Sequence, residues 1–487
     1  MKPLPALARG LAAMALVCLL AACSTSAGPK ASGPAPSGVA IWASSTDAVR
    51  RLERQADIPL SAAPTARDGD VRIDPGRQDQ EIVGYGAAMT DASALLIQNV
   101  LTLAERQRLI SELFGVDGLA LNLLRVPIGA SDFSPSHYSL DDVPAGTSDP
   151  SLAGFSMAKP LEAQIPALQA ARKVNPGLVL MASPWSAPGW MKDSGSLIKG
   201  QLKLQNYDAF ARYFVRYLDA MDQALLPVRY VTVQNEPAFE PADYPGMRFA
   251  AADRARFVAQ HLGPALTARG TPVGILEWDH NWDKPEEPLA VLGDSAARAH
   301  VSGVAWHCYA GDPAVMAQVH RAWPDKDVFF SECSGGDWAP DWGGSLGWMT
   351  DNLIIAPTRA GSRGSILWNL ALDENHGPRL GGCGNCRGVV TIDSRTHAIT
   401  RNVEYYVLGH VSRFVRPGAR RIASDGGPGG LTHAAFRNPD GSLVLLAHNA
   451  SKAILRLTVA GGGQGFATDI PAGDVMTFVW REQVQRP

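Results

Sequence analysis

The chain has 487 residues, of which 46% are hydrophobic and 19% charged, a globular composition long enough for one large domain and a smaller one. Its formal net charge is −3, and taking Lys2 and Arg9 from the 44 basic residues, as loss of the leader described below would do, leaves 42 against 47 acidic ones. That balance excludes a disordered chain and a protein that tracks a phosphate backbone, so no nucleic-acid partner is expected.

Residues 1–22 carry Lys2 and Arg9, then the apolar stretch LAAMALVCLLAA, and stop at Cys23, the layout of a secretory signal. The stretch is too short and Ala-rich for a membrane span. Leu20-Ala21-Ala22-Cys23 resembles the bacterial lipobox, which makes Cys23 a lipidation site and the only expected membrane contact an N-terminal lipid anchor. The expected location is therefore outside the cytoplasm, as a periplasmic or cell-surface lipoprotein; an ordinary cleaved signal and secretion is the alternative. Residues 23–38 are a Ser/Pro/Gly/Ala tether with nothing to bury. Residues 39–80 hold strand-like runs (VAIWASS, DVRIDP).

From residue 81 to 416, eight apolar runs alternate with helical segments: QEIVGYGAAM, LALNLLRVPIG, GLVLMASPW, VRYVTVQNEP, PVGILEWD, VSGVAWHCY, KDVFFSEC and RGSILWNLAL. Between them, stretches such as 101–115, 207–225 and 254–270 repeat apolar residues at helical spacing. Eight strand-helix units predict a (β/α)8 TIM barrel, an α/β fold. An open doubly wound sheet is the alternative. Against it, polar and aromatic residues recur near the C-terminal tips of the runs, as a ring of loops around one mouth demands: Asp91, Arg125, Trp185, Glu236, Glu277, His307, Glu332 and Trp368. From about residue 417 to 487 the pattern changes to short alternating strands with the hairpin signal Asp440-Gly441, predicting an antiparallel β-sandwich to which residues 39–80 add strands.

Glu236 and Glu332 each end a run that reads as a buried strand, where a carboxylate is tolerated only if it faces a cleft. Two carboxyl groups facing each other across a barrel mouth suit glycosidic bond cleavage, with retention at about 5–5.5 Å separation and inversion at about 6.5–9.5 Å. Asn235 beside Glu236 suits a donor to a sugar 2-hydroxyl. Glu277, Asp279 and Asp373 are further carboxylates: Glu277 is a competing acid, and Asp279 and Asp373 read as bystanders. Trp338, Trp342 and Trp348 follow the Glu332 loop and are sugar platforms or packing. Gly84-Tyr85-Gly86-Ala87-Ala88-Met89 breaks the dinucleotide fingerprint, and neither a phosphate loop nor a His/Glu metal helix occurs, so no cofactor and no metal are expected. Cys383 and Cys386 in GGCGNCRG read as a local loop staple, whereas Cys308 and Cys333 read equally as a pair or as two buried thiols.

In order along the chain, GYGAAMTDAS, LLRVPIGASDFS, ASPWSAPGWMK, VTVQNEP, VAWHCY, FFSEC and ILWNLALDENHGP resemble glycoside hydrolase family 30, the group containing glucosylceramidase and the microbial β-1,6-glucanases. The resemblance implies a retaining double displacement with Glu236 as acid/base and Glu332 as nucleophile. It also implies Asp91 and Trp185 on the outer hydroxyls of the sugar, Asn235 on its 2-hydroxyl and Trp368 as an aromatic wall. Tyr309, Arg125, His307 and Asn369 would surround the two carboxylates. Glu277 would have at most a substrate contact. The cysteine-bracketed loop at 381–388 and Cys333 after Glu332 depart from the lysosomal pattern, which favours a β-linked glucan, particularly a β-1,6-linked one, over glucosylceramide. β-Xylosidase and β-fucosidase activities, or a silent carbohydrate-binding surface lipoprotein, are the alternatives.

Overall fold

The computed structural model describes residues 38–62 and 67–482. The leader, Cys23 and the tether expected from sequence lie outside the described residues. Eight parallel strands form the central sheet: β1 (Gly84–Ala87), β2 (Leu123–Ile128), β3 (Val179–Pro184), β4 (Val228–Thr232), β5 (Gly274–Asn281), β6 (Val301–His307), β7 (Asp327–Glu332) and β8 (Ser362–Leu367). From β2 to β8 each strand pairs with the next, and β8 pairs with β1. The seam between β1 and β2 is closed by an Ala88–Arg125 bridge and by Asn122, whose Oδ1 accepts from the Tyr85 N–H at 3.1 Å. Gly86 permits this closure, because a Cβ there would stand 1.9 Å from the Leu123 carbonyl oxygen. This is the predicted TIM barrel.

Side-chain alternation fixes what the barrel holds. Leu123, Met181, Tyr230, Leu276, Ala305, Phe329 and Ile366 fill a buried apolar floor. Two residues further along six of these strands stand Arg125, Ser183, Thr232, His307, Ser331 and Trp368, all buried. β5 departs from the pattern: Trp278 and Asp279 take positive φ (72° and 52°), and the register with β6 slips there. Asp279, three residues beyond Leu276, is thereby turned into the same layer as the others.

The surrounding helices follow the predicted periodicity. Leu103–Phe114 starts in a capping box between Thr102 and Glu105, and Tyr207–Gln223 buries Phe210, Tyr213, Phe214, Tyr217 and Leu218. The third stretch folds as Ala251–Phe257, a π-helical turn at Val258–Leu262 and Gly263–Arg269.

The remaining long strands form a ten-stranded sheet with its own apolar core, including Ile41, Ile73, Leu445, Val459 and Phe478. Gly38–Ser44 pairs antiparallel with Val475–Arg481, and Val71–Glu81 with Arg420–Gly426, so the N-terminal segment does complete the C-terminal sandwich. The Asp440-Gly441 turn joins Leu431–Arg437 to Ser442–Asn449. His410 bridges barrel and sandwich, with its ring nitrogens 2.9 Å from Thr477 Oγ1 and Ser44 Oγ.

Candidate active site

Glu236 lies four residues beyond the end of β4 and Glu332 ends β7, so both stand at the C-terminal mouth. One oxygen of each and one His307 nitrogen lie within 4.8 Å of one another. So close an approach suits the retaining class, whose carboxyl groups stand about 5–5.5 Å apart. Glu236 takes φ of 48°, an uncommon conformation for a residue with a Cβ, held by its N–H donating to Asp279 O at 3.1 Å and by its carbonyl accepting from Phe239 N at 2.9 Å.

Arg125, fully buried, organises the floor of the mouth. Its Nη1 donates to Glu332 Oε2, its Nη2 to Asn235 Oδ1 (2.7 Å) and Asp279 Oδ2 (2.6 Å), and its Nε to Ser183 Oγ (3.1 Å). The guanidinium also sits 4.8 Å from the Trp185 ring and 5.7 Å from that of Trp368, and the two indoles stack at 5.1 Å. Because Asn235 accepts from Arg125 through Oδ1, its Nδ2 remains to donate to a ligand. Tyr309 OH donates to Glu332 Oε1 at 3.0 Å.

Asp279 is no bystander. Its oxygens accept from Arg125, Thr232 Oγ1 (2.7 Å), Ser331 Oγ (2.7 Å), Ser183 Oγ (3.1 Å) and His307 Nε2 (2.9 Å). Burial alone would raise its pKa, but Arg125, His307 and these donors hold it far below the ordinary carboxylate range. His307 in turn is pushed up to about 9: burial opposes its charge, and Glu332, Asp279 and Glu236 outweigh burial. With both ring nitrogens donating, Nδ1 to Glu236 Oε1 at 3.2 Å and Nε2 to Asp279 Oδ1, the imidazolium ties Glu236 to the buried Asp279.

The two glutamates are electrostatically one unit. Burial and the Glu236 charge raise Glu332 against His307 and Arg125, whereas burial of Glu236 is outweighed by His307, His280 and Arg125. Glu236 is the more exposed side chain of the two, 14% against 6%.

A cavity of about 560 Å³ opens on the pair, within the range of small-ligand sites. Trp185, Asn235, Tyr309 and Trp368 line it, as expected from sequence. Asp91, expected on the outer hydroxyls of the sugar, is not among the residues that line this cavity; its Oδ2 accepts from Ser134 Oγ (2.6 Å) and Tyr138 OH (2.9 Å). Asp132, in the loop after β2, also lines the cavity. Burial, then the Glu332 and Glu236 charges, push its carboxyl up to about 8, so it stands protonated at neutral pH and can both donate and accept. Asp132 lay within the motif LLRVPIGASDFS, but reasoning from strand tips passed over a residue four beyond the end of β2. Asn369 lies outside the cavity and supports it, accepting from Thr90 Oγ1 at 2.9 Å.

Glu277 is also corrected. It points outward from β5 into a fully buried pair with Arg254 (Nε to Oε1, 2.6 Å), away from any substrate. Asp373 caps a turn through Asn375 N and Gly377 N. Of the three tryptophans, Trp338 lines the cavity and is 54% exposed, alongside Phe239 at 46%, while Trp342 Nε1 donates to Ser45 O at the sandwich. His280, missed from sequence, also lines the cavity, 3.8 Å from Glu236 Oε1, and burial lowers its pKa to about 4. Both cysteine pairs are bonded, Cys308 to Cys333 and Cys383 to Cys386, and the second forms part of the cavity wall against Trp185 and Trp368.

Comparison with known proteins agrees with this geometry. Residues 82–415 match the glycosyl hydrolase family 30 TIM-barrel domain and residues 418–478 the family 30 beta sandwich domain. The chain is 34% identical over 425 residues to endo-1,6-beta-D-glucanase BGN16.3 of Trichoderma harzianum, covering 82% of this chain and 84% of that one. It is 31% identical over 467 residues to the lysosomal acid glucosylceramidase of Mus musculus, covering 89% and 88%. Among solved structures, the endo-beta1,6-glucanase BT3312 superposes with a TM-score of 0.85 at 30% identity, covering 92% of this chain and all of that one. The chain belongs to glycosyl hydrolase family 30 and is a glycoside hydrolase.

Proposed function

We propose that this chain hydrolyses β-1,6-linked glucan with retention of configuration, Glu332 acting as nucleophile and Glu236 as acid/base. The observation that carries the reading is the carboxyl pair within 4.8 Å at the mouth of a family 30 barrel. The glucan preference draws on the relatives named endo-1,6-beta-D-glucanase and on the superposed endo-beta1,6-glucanase.

A glucosyl unit enters between Trp185, Trp368 and Asp132, with Asn235 Nδ2 on its 2-hydroxyl. Glu332, held by Arg125 and Tyr309, attacks the anomeric carbon while Glu236 gives its proton to the departing glycosidic oxygen. The glycosyl ester on Glu332 is then cleaved by a water that loses its proton to Glu236, which restores both carboxyl groups. The imidazolium of His307 faces both carboxylates, at 3.2 Å from Glu236 and 3.8 Å from Glu332, and stabilises whichever is charged. Phe239 and Trp338 offer exposed rings for the leaving sugar.

The protein acts outside the cytoplasm, tethered through Cys23. A lipid-linked β-glucoside is the second reading, favoured by the similarity to the mouse glucosylceramidase. Protein beginning after Cys23, offered β-1,6-glucan, β-1,3-glucan, glucuronoxylan and glucosylceramide and followed by proton NMR, decides between them. β-Anomeric products from β-1,6-glucan support the proposal. α-Anomeric first products, or turnover confined to another member of the panel, reject it.

A further inference from the structure

The Cys308–Cys333 disulfide stands just beyond a register slip, where the β6–β7 ladder ends. β6 and β7 pair in register from Gly303 with Asp327 to Trp306 with Phe330, but His307 then pairs with Glu332, which leaves Ser331 as an extra residue. Such a bulge weakens the ladder and frees the strand tips to re-aim. Beyond it, Cys308 N donates to Glu332 O at a long 3.3 Å. The residues that need the finest placement stand on these two tips: His307 and Tyr309 flank Cys308, and Glu332 precedes Cys333. Their contacts, Tyr309 OH on Glu332 Oε1 at 3.0 Å and His307 Nδ1 on Glu236 Oε1 at 3.2 Å, all cross between segments. Tyr309 is 45% exposed; apart from Glu332 it is met by Asn281, whose Oδ1 accepts from the Tyr309 N–H at 3.1 Å, and edge-on by the His307 ring at 6.1 Å. On the far side of Glu332, Cys333 O accepts from Trp368 N at 2.8 Å, so that flank is already held.

We propose that the Cys308–Cys333 disulfide is a positioning element of the reaction: it ties the two strand tips together where the slipped ladder ends and holds Tyr309 against Glu332, so that full activity requires the oxidised bond. The proposal rests on Glu332 being the nucleophile. A dithiol reductant such as dithiothreitol reverses the bond by supplying two electrons and two protons, yielding the thiols of Cys308 and Cys333 and its own cyclic disulfide. Reduced protein folds with the same site but a looser Tyr309. The bond therefore couples turnover to the oxidising environment that an exported chain meets.

The test is Cys308→Ala/Cys333→Ala on an activated aryl β-glucoside, with and without Tyr309→Phe. The expected result is a 10- to 100-fold loss of kcat/KM, on the scale of a small misplacement, carried by kcat with KM within about twofold. The acidic limb of the pH profile should rise by roughly one pH unit, because a carboxylate that loses a donor is protonated more readily. Tyr309→Phe should cost activity in the wild type and add nothing in the double variant. An unmoved limb, or additive losses, overturns the proposal, since a purely structural bond lowers stability without either signature. Should the double variant not fold, Cys383→Ala/Cys386→Ala protein, which keeps only Cys308–Cys333 among the described cysteines, is reduced and reoxidised. Reversible loss of kcat supports the proposal and unchanged kcat refutes it. Glu332→Gln separates the two ideas: residual turnover there sinks the nucleophile assignment, whereas an inactive Glu332→Gln with a silent disulfide variant sinks the positioning role alone.

Discussion

Asp279→Asn is nearly isosteric, yet it removes the one charge on which the floor of the mouth converges. Five donors end on this carboxylate between 2.6 and 3.1 Å, and Asp279, Arg125 and His307 have no exposed surface. An asparagine keeps one acceptor oxygen and turns an NH2 toward donors. Breaking a buried ion pair by removing one partner costs about 3–5 kcal/mol, and that loss should appear in urea unfolding. His307 carries a second part of the effect. Raising an imidazole from 6.5 to about 9 corresponds to about 3 kcal/mol at ~1.36 kcal/mol per pH unit, shared among Glu332, Asp279 and Glu236. Losing one of three carboxylates should bring His307 down by roughly one pH unit, and the alkaline limb of kcat/KM with it.

The sign follows from linkage. Stability from the raised His307 is fully present below about 6.5 and is lost as pH rises through about 9. Stability from the depressed Asp279 is present above its unfolded pKa and lost only in strong acid. The variant should therefore be weaker across the neutral range, with the His307 part of the gap closing toward pH 9. We expect kcat/KM at pH 6–7 to fall at least about 100-fold, since Arg125 and His307 both lose their anchor. A variant within threefold of wild type in kcat/KM and within 1 kcal/mol in unfolding free energy (roughly a factor of 5 in the folding constant) would refute the account of Asp279.

Three further outcomes follow from the geometry. Glu332→Gln should abolish turnover, and Glu236→Gln should depress hydrolysis of poor leaving groups far more than of activated aryl glycosides; equal losses on both substrate types count against the assigned roles. Asp132→Asn should raise KM for glucan while gaining stability relative to wild type as pH rises from about 4 to 8, because a carboxyl held at about 8 in the folded state makes folding less favourable over that interval; paired melting curves at pH 4 and 8 that keep a constant gap disprove it. Gly86→Ala should fail to fold or lose several kcal/mol, since its Cβ would meet the Leu123 carbonyl oxygen at 1.9 Å, and a soluble variant with wild-type melting would show that the β1–β2 seam can open at little cost.

Barrel architecture was legible because buried parallel strands are written as continuous apolar runs, and eight of them alternate with helical periodicity whatever the chain does in three dimensions. Glu236 and Glu332 were legible for the same reason, as acids at the ends of runs that otherwise exclude charge, and the ordered motifs supplied their family. Asp279 was not. Period-two counting from Leu276 puts Trp278 in the lumen, and a local bulge with two positive-φ residues, held by contacts from β4 and β6, turns Asp279 there instead. Asp91 and Asp132 are both acids near the ends of adjacent strands. Ser134 and Tyr138 capture Asp91, and the loop after β2 delivers Asp132 to the sugar cavity. The pairing of Cys308 with Cys333 likewise depends on two tips meeting across a slipped ladder. Sequence by itself determined the periodicity of each segment, and with it the barrel, the sandwich and the two glutamates, because periodicity is a local property of side-chain burial. Which acid lines the cavity, which is hydrogen-bonded beside it and which cysteines meet were decided by the tertiary structure, because register slips and long-range hydrogen bonds aim a side chain independently of its neighbours in the chain.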